Sequence, residues 1–410
     1  MKKGQLESHV LVLVTLGLVA FGLVMVYSAT SAPAALARTD PMSYLKKQGG
    51  YALFGVILMI AASRFDYRRL RLFAPALVLT ALVGCLAVLA IGARINGARR
   101  WIEVGPATFQ PSELAKLAIA VWAAAYLSRR PAPQTLRELW RPIGLLVGLF
   151  CVLILAEPDL GTAIALIVVL LAVLVASGTP GSTLAAASGI IVALGLLAIW
   201  FEPYRRARIF SFLDPWKDPQ GAGFQTVQAL ISLGSGGPFG VGLGQGVAKV
   251  NYLPEAHTDM ILGVIGEELG LVGVAAVLGA FVAFAWAGLR VALTCKDPFG
   301  KRLAVGVVAL VSGQAVINLA AVLGLAPLTG IPLPFISYGG SSLVVTLLAV
   351  GVLLNIAGNG ARAAAAVPDR GRRDGGTRRA VARGRGGAAA ARSARDVRRV
   401  AGSHRGAARS

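Results

Sequence analysis

"LGTAIALIVVLLAVLVASGTPGSTLAAASGIIVALGLLAIWF", residues 160–201, holds 42 consecutive positions without a charged side chain. A run of about 20 apolar residues crosses the hydrocarbon core of a bilayer as a helix, so this stretch is too long for one span and suits two. "SGTPGS", residues 177–182, supplies a turn in its middle. Two antiparallel membrane helices are predicted here, over 160–177 and 184–201.

The remainder of the chain reads the same way. It is 56% hydrophobic and 14% charged, whereas soluble domains carry about 25% charged residues. Further apolar runs at 10–30, 49–63, 72–92, 112–128, 142–157, 266–289, 303–325 and 340–357 bring the expected spans to ten. The fold class is therefore an all-α polytopic integral membrane protein of ten transmembrane helices over residues 1–359. The first run is too long for a signal peptide, and no A-x-A cleavage site follows promptly, so it is read as a retained span. Cys85 and Cys151 fall inside apolar runs and Cys295 beside a basic loop; they read as core residues, not a disulfide framework.

Lysine and arginine give the orientation. With the N-terminus inside, the inner connections and both ends carry 28 positive residues and the outer connections 11, so both termini are expected in the cytoplasm. Residues 202–258 then form a single large extracytoplasmic loop of 57 residues, and loops of that length are usually functional. Within it, "SLGSGGPFGVGLGQG" (232–246) has seven glycines in the thirteen positions from Gly234. It is read either as a hinge or close backbone packing, or as amide groups lining a phosphate site.

The net charge of +21 points toward nucleic acid until it is located. From Arg362 onward there are 14 Arg against Asp369, Asp374 and Asp396, in Ala/Gly/Arg sequence with almost no large apolar residue. Residues 360–410 are expected to be a disordered basic cytoplasmic tail lying near anionic membrane lipids, with no nucleic-acid partner. Docking an acidic protein is the second reading.

Acidic residues are scarce, 19 Asp and Glu in all, and they gather beside spans, where charge is expensive. Glu113 and Lys116 are three apart in "FQPSELAK", one face of a helix that Ser112 could cap. They read either as an ion pair that orients the span or as a charged wall facing a polar cavity. Arg99 and Arg100, beside Trp101, suit either interfacial anchoring or phosphate binding. In "EPDLGT" Asp159 can cap the following helix, which leaves Glu157 at the same depth unexplained. "NYLPEAHTDMILGVIGEELG" (251–270) gathers Glu255, His257, Asp259, Glu267 and Glu268 at the mouth of an apolar run. On a helix starting near Pro254, Glu255 and Asp259 would share a face. Arg205, Arg206, Arg208 and Lys249 suit the same loop to an anionic ligand.

"NGARRWI", "FQPSELAK", "EPDLGTA", "RIFSFLDPWKDPQGAGFQ", "YLPEAHTD", "VIGEELG" and "PLPFISYGGSS" occur in the order and spacing of the SEDS (shape, elongation, division and sporulation) family. The resemblance runs from the first span to about Asn359, and within the family it is nearest the division and sporulation branches. It implies the ten-span SEDS fold in the bacterial cytoplasmic membrane at the division septum. The implied activity is a peptidoglycan glycosyltransferase that polymerises lipid II outside the membrane. Its implied partners are a class B penicillin-binding protein, an FtsI-like transpeptidase, and other divisome proteins. The resemblance also implies a catalytic role for Asp259 and supporting roles for Glu113, Lys116 and Asp159. Met260, Pro238 and Ala229 depart from the family's usual residues, and none of these positions is charged.

The residue chemistry is compatible with that implication. Transfer from a polyprenyl diphosphate needs a base for the attacking hydroxyl, but its leaving group is already a stable anion. Asp259 is the expected base, Glu255 and His257 are expected to line the same site, and Arg99, Arg100, Arg206 and Lys249 are candidates to steady the diphosphate. A divalent cation, Mg2+ or Mn2+, could assist, though no ligand set for one is visible. A flippase for the same lipid and a division scaffold are the competing expectations.

Overall fold

The computed structural model describes residues 5–36, 40–95, 98–105, 107–250 and 252–365. Helices α1 (Gln5–Leu36), α2 (Ser43–Arg64) and α3 (Leu70–Ile91) lead into three short strands, β1 (Ala93–Ile95), β2 (Ala98–Val104) and β3 (Ala107–Phe109). Next come α4 (Pro111–Ser128), α5 (Leu136–Leu139), α6 (Leu145–Ala156), α7 (Leu160–Ser177) and α8 (Gly181–Phe201). The 202–258 segment contains α9 (Pro203–Leu213) and α10 (Phe224–Ser235), and α11 (Ile261–Thr294), α12 (Pro298–Val322) and α13 (Gly340–Ala365) complete the order. The protein is a multi-pass membrane protein.

Among the described residues, eight helical segments are long and apolar enough to cross a membrane: 5–36, 67–91, 136–156, 160–177, 181–201, 261–294, 298–322 and 340–359. The runs expected at 49–63 and 112–128 are the helices α2 and α4, of 22 and 18 residues. Lys46 and Lys47 in α2, and Glu113 and Lys116 in α4, dilute their apolar character. The turn expected at 177–182 is present: α7 ends on Gly178 in the left-handed region, φ +87°, as helix C-termini favour, and α8 starts three residues later.

Local signals explain several helix starts. Asp159 caps α7 by accepting from Thr162 N at 3.0 Å, and Asp297 caps α12 by accepting from Gly300 N at 3.2 Å with Pro298 in the first turn. The expected Ser112 cap is absent. Gln110 holds the cap position and Pro111 the first helical position, so Ser112 lies one residue inside.

α12 is the central post, packed against α4, α7, α11 and α13, while α2 lies along α13 and α1 along α11. α8 is the exception, burying only Thr183 and Ala187 and meeting little beyond α5 and α9. The tail beyond residue 365 lies outside the described residues, and α13 runs to Ala365, past the expected start of that tail at 360.

Two features depart from a purely helical reading. The first is the antiparallel sheet of order β1-β2-β3, in which Arg94 pairs with Arg99 and Ile102 with Phe109. Asn96-Gly97 between two β-favouring runs is the sequence signal for it. The second concerns α11, which begins at Ile261, five residues before the expected 266 and two residues after Asp259. Gly270, at φ +66° and ψ −160°, breaks its regular winding.

The glycine-rich loop docks on that break. Val241 N and Gly242 N donate to Glu267 O and Glu268 O, both at 3.0 Å, while Leu271 N and Val272 N donate to Gly237 O and Pro238 O at 2.9 and 3.1 Å. The close-packing reading of the loop is the observed one. Two glycines make it possible: a Cβ on Gly270 would collide with Gly240 N, and one on Gly240 with Glu268 O. The conformation at Gly270 is itself open essentially to glycine alone. Gly270→Ala is therefore expected to destabilise the protein by about 2–3 kcal/mol, read as a lowered melting temperature of the detergent-solubilised chain. Gly279→Ala, in the same helix with open space around it, should leave the melting temperature unchanged or raise it.

Candidate functional site

Asp259 lies just before α11 in a series of tight turns over residues 252–260, where a helix carrying Glu255 and Asp259 on one face was expected. Glu255 adopts φ +55°, and the turn closes through Thr258 N to Glu255 O at 3.0 Å. This geometry still brings the two carboxylates together. Thr258 Oγ1 is 3.0 Å from Glu255 Oε2 and 3.2 Å from Asp259 Oδ1.

The segment is anchored from two sides. Asn318 on α12 donates through Nδ2 to Asp259 O at 2.7 Å and to Ile331 O at 2.8 Å, and Tyr338 N donates to His257 O at 2.8 Å. Burial, and then the charge of Glu255, push the Asp259 carboxyl up to about 6, against weaker opposing pulls that include Arg208. His257 is pushed below its usual range by burial, its ring 4.9 Å from Tyr44 and 5.6 Å from Tyr338.

A cavity of about 460 Å³ opens against this segment. Ala29, Thr30 and Pro33 of α1, Tyr44, Lys249 and the run 253–257 line it. Glu255 and His257 thus line the cavity, and Asp259 does not.

Asp159 belongs to a second polar group at the same end of the bundle. Besides capping α7 it accepts from Thr162 Oγ1 at 2.8 Å and from Gln110 Nε2 at 3.1 Å. The two groups meet at the α12–α13 connection. Gly161 lies against Thr329 and Ile331, and Gly330 lies beside the Asp259 carboxylate. Glu157, fully buried, has its carboxyl pushed up to about 8 by burial and by Asp159.

The remaining expected residues take other places. Glu113 and Lys116 form a fully buried pair at 2.8 Å, and Lys116 also donates to Gln314 Oε1 at 2.9 Å. The ion pair of the first reading is present, and it is tied to α12 through Gln314. Arg100 turns its guanidinium to Glu157 O and Pro158 O, closing the C-terminus of α6, and so is not directed at a ligand. Arg99 is exposed and donates to Leu89 O at 3.2 Å. Arg206 lies over the Trp200 ring at 5.8 Å.

Lys249 requires correction as a diphosphate ligand. Its ammonium is buried 2.6 Å from Glu268 Oε1 and donates to Gly244 O at 2.8 Å and Ser28 Oγ at 3.1 Å. A buried lysine without a carboxylate partner would be costly, which is why it pairs. Among the described residues, no three His, Cys, Asp or Glu side chains are grouped to hold a metal ion.

Residues 8–361 match the cell cycle protein family FtsW/RodA/SpoVE. The chain belongs to this family. It is 42% identical over 354 residues to a protein of Geobacter sulfurreducens named probable peptidoglycan glycosyltransferase FtsW, covering 85% of this chain and 94% of that one. Stage V sporulation protein E of Bacillus subtilis is 40% identical over 357 residues, covering 84% and 95%. A solved chain from a peptidoglycan synthase complex that coordinates polymerization and crosslinking superposes with a TM-score of 0.72 at 32% identity, covering 85% and 97%. The rod shape determining protein RodA of Thermus thermophilus gives 0.63 at 30% identity, covering 85% and 96%. The helical SEDS fold implied by the motifs is the fold of these relatives.

Three residues of this family member's site escaped sequence reasoning: Gln110, Gln314 and Asn318. The last two are amides four apart within the apolar run of α12, on one helix face, and uncharged polar groups at that depth were the available signal. The raised Asp259 carboxyl also sets a pH dependence. Its pKa rises from 3.8 to about 6 on folding, so the folded state holds the proton more tightly. That contribution is full below the unfolded value and is lost as the pH rises through about 6. Asp259→Asn should accordingly melt at a higher temperature than wild type at pH 8, and the gain should fade as the pH falls from 6 toward 4.

Proposed function

We propose that this chain is a peptidoglycan glycosyltransferase that polymerises lipid II at the outer face of the bacterial cytoplasmic membrane during division, with Asp259 as its base. The observation that carries the reading is the placement of Asp259, joined to Glu255 through Thr258 and anchored by Asn318 beside the cavity that Glu255 lines, with its carboxyl pushed up to about 6 by burial and by Glu255. A group with that proton affinity is ionised at neutral pH and still basic enough to take a proton in the transition state. The relatives named as peptidoglycan glycosyltransferases support the same chemistry.

In this reading Asp259 removes the proton from the 4-hydroxyl of one lipid II. The freed oxygen attacks the MurNAc anomeric carbon of the other, and the anomeric C–O bond breaks with its electrons leaving on undecaprenyl diphosphate, with inversion. The exposed Arg99 and Arg206 on α9 are the cations proposed to steady that diphosphate; Arg100 is turned to the carbonyls at the end of α6 and Lys249 to Glu268. The Mg2+ or Mn2+ proposed alongside would be carried by the diphosphate oxygens. A class B transpeptidase partner at the septum belongs to the same proposal, supported by the complex from which the similar solved chain comes.

The test is glycan synthesis from labelled lipid II by the full chain copurified with its transpeptidase. Wild type should give long strands, and its rate should fall as the pH drops below about 6, where Asp259 gains its proton. Asp259→Ala, folded and in complex, should lose on the order of 10²–10⁴-fold, the usual contribution of a general base. Equal synthesis by both proteins would remove Asp259 from the mechanism. Absence of synthesis by either, with lipid II moved across vesicles instead, would replace the enzyme by a flippase.

A further inference from the structure

Thr258 Oγ1 stands between two carboxylates, 3.0 Å from Glu255 Oε2 and 3.2 Å from Asp259 Oδ1. A threonine hydroxyl has one hydrogen to donate. With both carboxylates ionised, one of the two contacts would set lone pair against lone pair. Thr258 Oγ1 also lies 3.1 Å from Glu255 O, so with both carboxylates ionised its hydrogen serves one acceptor at a time; once Asp259 gains a proton, both carboxylate contacts become favourable as one chain from Asp259 through Thr258 to Glu255. The two acids also differ in what they face. Glu255 lines the 460 Å³ cavity and Asp259 does not. The backbone agrees: Glu255 is a non-glycine residue in the left-handed region, φ +55°, a strained conformation that tends to persist at functional sites. It is held by Thr258 N and Met260 N, which both donate to Glu255 O.

We infer that Glu255 is the outlet for the proton that Asp259 takes from the acceptor hydroxyl, passed through Thr258 and released into the cavity. This deepens the glycosyltransferase reading and rests on it. The balance is one proton. After bond formation the Asp259 O–H breaks toward Thr258 Oγ1 while the Thr258 O–H breaks toward Glu255 Oε2. Asp259 is left ionised, Thr258 unchanged and Glu255 protonated. Glu255 then gives its proton to water in the cavity, and the base is reset while the sugar product still occupies the Asp259 side.

The charged and titratable groups that face this pair are few. His257 and Lys249 share the cavity wall with Glu255, Tyr44 faces them, and Arg208 of α9 acts on Asp259. Lys249 is neutralised by Glu268 at 2.6 Å. His257 is held toward its neutral form by burial.

Two measurements test the relay on the full chain with its transpeptidase. The first is rapid-quench synthesis from labelled lipid II, which separates the first bond formed from later turnovers. In Thr258→Val, later turnovers should slow by about tenfold or more, within the range of proton-transfer contributions, while the first bond is slowed far less. Thr258→Ser, which restores the hydroxyl, should recover the later turnovers. Equal slowing of both phases would mean a structural role and overturn the relay, as would unslowed later turnovers in Thr258→Val.

The second measurement needs no turnover. An infrared carboxyl band that titrates in wild type and is missing in Asp259→Asn reports Asp259 directly. In Glu255→Gln that band should titrate lower by about one pH unit, as removal of a neighbouring like charge requires; an unmoved midpoint would overturn the coupling. If wild type makes no glycan, the glycosyltransferase reading falls and the relay with it, whereas an unmoved band in an active enzyme removes the relay alone.

Discussion

A charge taken into an apolar bundle must bring its partner with it, and in this protein two buried ion pairs meet that requirement. Lys116 and Glu113 lie at 2.8 Å in α4, and Lys249 and Glu268 at 2.6 Å between the long loop and α11. Removing one member of such a pair typically costs 3–5 kcal/mol, because the other is left buried and uncompensated. Each pair also recruits a neutral polar group from another helix. Gln314 of α12 bonds Lys116, and Ser28 of α1 lies 2.7 Å from both Glu268 oxygens. The charges thereby become cross-links between helices that apolar packing alone would leave free to slide.

Those cross-links frame the site. Gln314 also donates to Pro332 O, and Asn318, one turn along, to Ile331 O and Asp259 O. α12 therefore carries both the α12–α13 connection and the segment before α11 on one face. From the other side, Glu267 accepts from Val247 N at 2.8 Å and Ala248 N at 3.1 Å. The polypeptide around Asp259 is thus fixed at both ends and in the middle.

The helical class and most span positions were legible from the chain, for physical reasons. Long uncharged runs admit few other structures, and carboxylates beside them stand out. The places where that reading slipped share one cause, charge that is neutralised in three dimensions. The expected span at 266–289 already held Glu267 and Glu268, but the chain gave no sign of what meets their charge, which is backbone amides for Glu267 and Lys249 for Glu268. Lys249 and Arg100 looked like ligands because their partners, a carboxylate 19 residues away and the two carbonyls at the end of α6, are set by folding and carry no local pattern. The sheet was missed for a different reason: the seven residues of β2, ARRWIEV, do not alternate in polarity and are a weak signal beside runs of twenty. The turns at 252–260 escaped because Pro254 and the four-residue spacing of Glu255 and Asp259 are equally good signs of a helix.

The sequence separation of each ion pair bears on how the chain is built into a bilayer. Glu113 and Lys116 are three residues apart in one helix, so α4 can enter the membrane with its charges already matched, and Gln314 joins them later. Glu268 cannot do this alone, since its partners are Ser28 in the first helix and Lys249 ahead of it in the chain. Synthesis from the N-terminus delivers both before Glu268 itself emerges. The groups that neutralise Glu268 have thus been made by the time α11, the helix that carries it, is inserted.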